Sequence, residues 1–138
     1  VAEDSEFQRE LIRDGLLQHG LVERVLVASQ GDEFITSMTR QLLVSDPPDL
    51  CILDLEMPVL GGYHAAVSLR SVEQAFQSSP VPILFFTARP CDEVFRKALA
   101  QVGHASYLNK SSQAGPAEFF GRLEQVLRTF QGKPALTE

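Results

Sequence analysis

The chain has 138 residues and a mass of 15.2 kDa, enough for one domain and too few for two ordinary ones. Leu, Ile, Val and Phe make up 43 residues, about 31% of the chain and well above the roughly 20% typical of disordered chains, so a buried core is expected. The formal charge is −6 and the 12 Lys and Arg are scattered rather than striped, which argues against a nucleic-acid surface, because phosphate binding needs clustered cations. No apolar run approaches the roughly 18 residues of a membrane span, and nothing at the start has signal-peptide character. Cys51 and Cys91 form no C-x-x-C motif, which supports neither a disulfide framework nor a zinc site. A reducing, cytoplasmic setting is expected. The chain opens at Val1, as though a strand had been cut partway, and a processed or trimmed N-terminus is expected.

Two kinds of segment alternate along the chain. A stub at Val1-Ala2 precedes Ser5-Glu6-Phe7-Gln8, which has the form of a capping box. Phe7, Leu11, Ile12 and Leu16 then follow at helical intervals. Leu21–Ala28 reads as a strand. Phe34, Ile35, Met38 and Leu42 mark a second helix that the Asp46-Pro47-Pro48-Asp49 run ends. Leu50–Leu55 reads as the next strand, and Tyr63, Ala66, Val67, Leu69 and Phe76 as the third helix. The strand Val81–Phe86 leads to a fourth helix, with Pro90 expected at its first position and Val94, Phe95, Ala98 and Leu99 on one side. Ala105–Leu108 is the last strand. Pro116 opens a fifth helix whose stripe is Phe119, Phe120, Leu123, Val126, Leu127 and Phe130.

Strands alternating with helices predict an α/β domain, a five-stranded parallel sheet with helices on both faces. The domain is expected over residues 1–130, and 131–138 as a tail or the start of a linker. Such sheets bind ligands outside the carboxyl ends of their strands, so the residues that end each strand are the candidates. They are Glu3 and Asp4, Asp54 with Glu56 beyond it, Thr87, and Asn109-Lys110. The carboxylates of Glu3, Asp4 and Asp54, crowded at the strand ends, repel one another, and a hard divalent cation is the simple remedy. Lys110 adds a point charge for a phosphoryl oxygen, and a carboxylate beside such cations can serve as a nucleophile. The chemistry reads as a Mg²⁺-dependent phospho-aspartate site.

V-A-E-D at the start, D-L-E-M-P-V-L-G-G from Asp54 to Gly62, F-F-T-A from Phe85 to Ala88 and Y-L-N-K from Tyr107 to Lys110 resemble the receiver domain of bacterial response regulators. The resemblance runs from Val1 to about Phe130 and implies strand order 2-1-3-4-5, the flavodoxin-like order that the chemotaxis member of that family exemplifies. It implies that Asp54 takes a phosphoryl group from a histidine kinase or a histidine phosphotransfer protein. Asp4, Asp54 and the Glu56 carbonyl would ligate Mg²⁺, with Glu3 acting through water. Lys110 would contact the phosphoryl oxygens, while Thr87 and then Tyr107 would move. That movement would alter the face made by the fourth helix, fifth strand and fifth helix, where receivers meet partners or effector domains, or form homodimers. The only catalysis implied is the domain's own phosphorylation and slow dephosphorylation.

The sequence departs from the family pattern at Ser111, where proline with a cis bond is usual, and at Glu3, where Asp is commoner. Arg89 and Glu56 are expected at the mouth of the site, tuning the access of water. Cys51 and Cys91 are expected to be inert thiols, and His19, His64 and His104 to have no catalytic part. Two alternatives stand beside the switch: a pseudo-receiver that only binds partners, and a haloacid-dehalogenase-type phosphatase. The latter normally carries D-x-D on its first core strand, whereas here D-x-E follows the third.

Overall fold

The computed structural model describes residues 1–110 and 116–130. Among the described residues five helices are observed: α1 (Glu6–Gln18), α2 (Gly31–Leu43), α3 (Gly62–Ala75), α4 (Glu93–Val102) and α5 (Pro116–Phe130). Three strands, β1 (Cys51–Leu53), β2 (Ile83–Thr87) and β3 (Ala105–Asn109), form one parallel sheet in the order β1-β2-β3. Along β2 the side chains alternate between the two sheet faces, as the two-residue period of a strand requires. Ile83 and Phe85 join Phe34, Leu53, Leu69 and Phe95 in one core under α2, α3 and α4. Leu84 joins Ile12, Leu16, Ile52, Phe120 and Leu123 in a second core under α1 and α5. The middle of the sheet is thus buried on both faces, and for that reason β1 and β2 read as nearly unbroken apolar runs, whereas β3 carries Ser106 and is mostly half-buried.

The expected five-stranded sheet is corrected, among the described residues, to three strands extended on the β1 side by two single-residue bridges. Ala2 pairs in parallel with Ala28 on one side and Leu53 on the other. Its amide donates to the Ile52 carbonyl at 2.8 Å, and its carbonyl accepts from Asp54 at 3.0 Å. The lateral order is therefore Ala28, Ala2, β1, β2, β3, in keeping with the order the resemblance implies. A strand persists only where a neighbour runs beside it, and Ala2 offers one bridging residue to each side. Most of Leu21–Ala28 consequently lies outside the sheet, and a cleft of about 830 Å³ is lined both by this segment and by residues 49–52.

Local signals set the helix starts. Ser5 caps α1 with its hydroxyl, which accepts from the Gln8 amide at 3.3 Å. The return half of the expected capping box is absent among the described residues: the Ser5 amide donates to Glu3 Oε1 at 3.4 Å instead. Phe7, expected on the apolar stripe of α1, is 75% exposed. α4 also departs from expectation, since it begins at Glu93 rather than at Pro90. The Asp92 carboxylate accepts from the Phe95 amide at 2.8 Å and caps the helix, an interaction Pro90 has no side-chain oxygen to make. α5 does begin at Pro116. Residues 131–138, and the bond from Lys110 to Ser111, lie outside the described residues.

At the amino-terminal end of the sheet, opposite the site, a buried ion pair that the sequence did not disclose joins three segments. Glu73 on α3 pairs with Arg70 at 2.7 Å and accepts from the Val81 amide at 2.6 Å. Arg70 donates to the carbonyls of Val81, Val102 and Gly103, locking α3 to the start of β2 and to the α4–β3 turn.

Candidate functional site

The carboxyl ends of the strands gather the predicted polar residues. Asp54 directly follows β1, Thr87 ends β2, and Lys110 follows Asn109, which ends β3. Glu3 and Asp4 follow the bridging Ala2, so the backbone bonds of Ala2 with Ile52 and Asp54 set the acidic pair beside Asp54. Carboxylate oxygens of Glu3, Asp4 and Asp54 all lie within 4.8 Å of one another. Glu3 and Asp54 are buried, 3% and 5% exposed, whereas Asp4 is open to solvent.

Lys110 answers this charge from the other end of the chain. Its ammonium lies 3.0 Å from Glu3 Oε2 and 3.1 Å from Asp54 Oδ2, and 5.7 Å from the centre of the Phe86 ring, within cation–π range. Burial, reinforced by the neighbouring Asp54 charge, pushes the Glu3 carboxyl up to about 7 against the pull of Lys110. Burial alone would lower Lys110, but its hydrogen bonds and charge contacts with Glu3 and Asp54 outweigh that and raise it. The result is a buried acidic pair held by one ammonium, with a third carboxylate at the opening. Hard oxygen donors in this number suit Mg²⁺, which prefers carboxylate, carbonyl and water ligands.

The remaining residues frame the cluster. Glu56 is exposed, and its amide donates to Asp54 Oδ1 at 3.3 Å, orienting the carboxylate. α3 begins close behind, because a Cβ on Gly62 would collide with the Asp54 carbonyl; glycine permits this approach. Thr87 is 1% exposed, and its hydroxyl accepts from the Arg89 amide at 3.3 Å. The Arg89 carbonyl in turn accepts from the Tyr107 hydroxyl at 2.7 Å and from Asn109 Nδ2 at 3.4 Å. Tyr107 is half-buried, with its ring edge-on to Phe95 at 5.2 Å. Arg9 was not foreseen: its guanidinium donates to the Glu3 carbonyl at 2.8 Å and braces the acidic turn. A side chain that reaches a backbone carbonyl six residues earlier leaves no motif in a sequence.

The family model for the response regulator receiver domain matches residues 1–118. The chain belongs to the response regulator receiver family. Among curated relatives, the chain is 31% identical over 141 residues to the alkaline phosphatase synthesis transcriptional regulatory protein SphR of Synechococcus elongatus, covering 99% of this chain and 51% of that protein. It is 33% identical over 88 residues to the protein-glutamate methylesterase/protein-glutamine glutaminase of Haloarcula marismortui, covering 64% of this chain and 21% of that protein. The chain therefore spans between about a fifth and about half of the length of these relatives. The receiver domain of the Arabidopsis thaliana histidine kinase CKI1, solved with Mg²⁺ and BeF3−, superposes with a TM-score of 0.79 at 23% identity, covering 96% of this chain and 87% of that one. That likeness supports the flavodoxin-like receiver fold. No described helix of this receiver is long and apolar enough to cross a membrane.

Proposed function

We propose that this receiver is a phosphorylation-dependent switch of a two-component phosphorelay, with Asp54 as the phosphoryl acceptor. The observation that carries the reading is the meeting of Glu3, Asp4, Asp54 and Lys110, drawn from distant parts of the chain onto one rim. Asp4, Asp54 and the Glu56 carbonyl are the proposed Mg²⁺ ligands, with Glu3 acting through water. When bound, Mg²⁺ neutralises the acidic pair and the charge that develops on the phosphoryl oxygens. An Asp54 carboxylate oxygen attacks the phosphorus of a phosphohistidine on a histidine kinase or phosphotransfer protein. The P–N bond breaks, its electron pair goes to the ring nitrogen, an acyl phosphate forms, and the proton already carried on the other ring nitrogen lets the group leave as neutral imidazole. Lys110, already beside Asp54 Oδ2, is placed to pair with a phosphoryl oxygen.

The Thr87 hydroxyl, now bonded to the Arg89 amide, would turn to the phosphoryl group. Because Arg89 also holds the Tyr107 hydroxyl, that turn would loosen Tyr107 and alter the face of α4, β3 and α5. Phosphorylation adds about −1.5 to −2 charges and three acceptors at one spot, enough to bias a two-state surface. Effector domains, target proteins or a second copy of the chain are the proposed readers of that face, in the cytoplasm. The receiver unit is proposed to span residues 1–130, and its catalysis is confined to its own phosphorylation and slow dephosphorylation.

Intact-mass spectrometry after incubation with Mg²⁺ and acetyl phosphate tests this reading. One Mg²⁺-dependent phosphoryl adduct is expected on the wild type and none on Asp54→Asn. No adduct, together with no Mg²⁺ binding, would leave a binding module without phosphoryl chemistry.

A further inference from the structure

A second concavity reverses the sign of the molecule's charge. A cleft of about 550 Å³ is lined from α3 by Tyr63 and His64, from α4 by Val94, Phe95 and Lys97, and by Arg89 beyond the end of β2. None of its lining residues is a carboxylate, although Asp and Glu outnumber Lys and Arg by 18 to 12 in the chain as a whole. Glu93 approaches Lys97 at 3.9 Å, but both side chains are more than three-quarters exposed, so water screens this pair and leaves the Lys97 charge available. Val94 is 69% exposed, Phe95 is buried beneath it, and the Tyr63 hydroxyl donates to Gln101 Oε1 at 3.1 Å across the two helices. The cleft therefore offers apolar surface with cationic groups around it.

We propose that the cleft between α3 and α4 is a docking surface for an acidic segment of a partner protein that carries one aromatic or aliphatic anchor. Charge complementarity selects the occupant: Arg89 and Lys97 meet its carboxylates, while Tyr63 and Val94 meet its anchor. A basic segment would be repelled, and an uncharged one would leave the cations unpaired. Arg89 also joins the cleft to the acidic rim. It lines the cleft, and its backbone is bonded to Thr87 on one side and to Tyr107 and Asn109 on the other. Docking does not depend on the phosphorylation reading, whereas this link through Arg89 rests on it.

The test is fluorescence anisotropy of the full chain with a fluorescein-labelled peptide of alternating Glu and Ser around one Phe. A control peptide carries Lys in place of Glu. Saturable binding of the acidic peptide is expected, about tenfold or more tighter than the control, and weaker with added salt. Lys97→Glu and Val94→Ser, both at exposed positions, should each weaken it while the circular dichroism spectrum is kept. Equal binding of the two peptides, no saturable binding, or affinity unmoved by both substitutions would overturn the docking surface. With docking intact, Mg²⁺ and beryllofluoride should change the affinity in the wild type and not in Asp54→Asn. An unchanged affinity in a protein that does form the phosphoryl adduct overturns only the Arg89 link. Failure to form that adduct overturns the phosphorylation reading and leaves the docking result standing.

Discussion

Lys110→Met keeps most of the side-chain stem and removes the charge that joins Glu3 to Asp54. The Lys110 side chain is 17% exposed and its ammonium touches the Glu3 and Asp54 carboxylates, whose side chains are 3% and 7% exposed, so the substitution strands two buried anions. Breaking a buried pair by deleting one partner costs about 3–5 kcal/mol. Here Glu3 can escape by taking a proton, because its carboxyl is already raised to about 7. We therefore expect a loss of about 2–3 kcal/mol without metal at pH 8, and about 1 kcal/mol at pH 5.5, where Glu3 is protonated in both proteins. The sign follows from linkage. A folded-state value above the unfolded 4.5 means that the native state binds more protons between 4.5 and about 7, so the Glu3 contribution to wild-type stability falls as pH rises through that window. Removing Lys110, which opposes the shift, extends the window upward. Urea denaturation of both proteins at the two pH values reads the difference, and Mg²⁺ should recover part of it. An equal cost at both pH values, or no cost at pH 8, would refute the view that Lys110 balances a strained acidic pair.

Glu3→Gln removes the same strain from the other side. At pH 8 and without metal it should stabilise the fold by about 1–2 kcal/mol, after allowing for screening at the mouth of the site, while weakening Mg²⁺ binding; calorimetry reads both. Glu73→Ala should cost about 3–5 kcal/mol, because it leaves the Arg70 guanidinium and the Val81 amide without the carboxylate that holds them; thermal unfolding checks this. Burial pushes the Cys51 thiol up to about 12, so the native protein should titrate rapidly at Cys91 alone with a disulfide reagent and at both cysteines in urea. Gly62→Ala should destabilise by more than about 1 kcal/mol and move the Asp54 backbone, visible as amide shifts at residues 54–56.

The helices and the site were legible to different degrees, for physical reasons. Asp54, Thr87 and Lys110 could be placed because each ends an apolar run, and a parallel sheet puts all such ends on one rim. The helical spacing of α2 and α3 was equally plain. The Leu21–Ala28 segment has a strand's composition, yet strand pairing depends on a neighbour, which no property of the segment itself reveals. Pro90 and Asp92 are both good residues for the start of a helix, and only the backbone path shows that the carboxylate caps it. The pairing of Lys110 with Glu3 spans 107 positions, and Arg9 and Arg70 act on backbone carbonyls, which are the same in every residue. Such contacts become visible only in three dimensions.

The identity of the phosphoryl acceptor is the central claim, and locating the adduct tests it most directly. The protein would be treated with acetyl phosphate and Mg²⁺, reduced with borohydride to convert an aspartyl phosphate to homoserine, and mapped by peptide mass spectrometry. Reduction at Asp54, with Glu3 and Asp4 untouched, is the predicted result. Reduction at another carboxylate, or an adduct that persists on Asp54→Asn, would contradict the account.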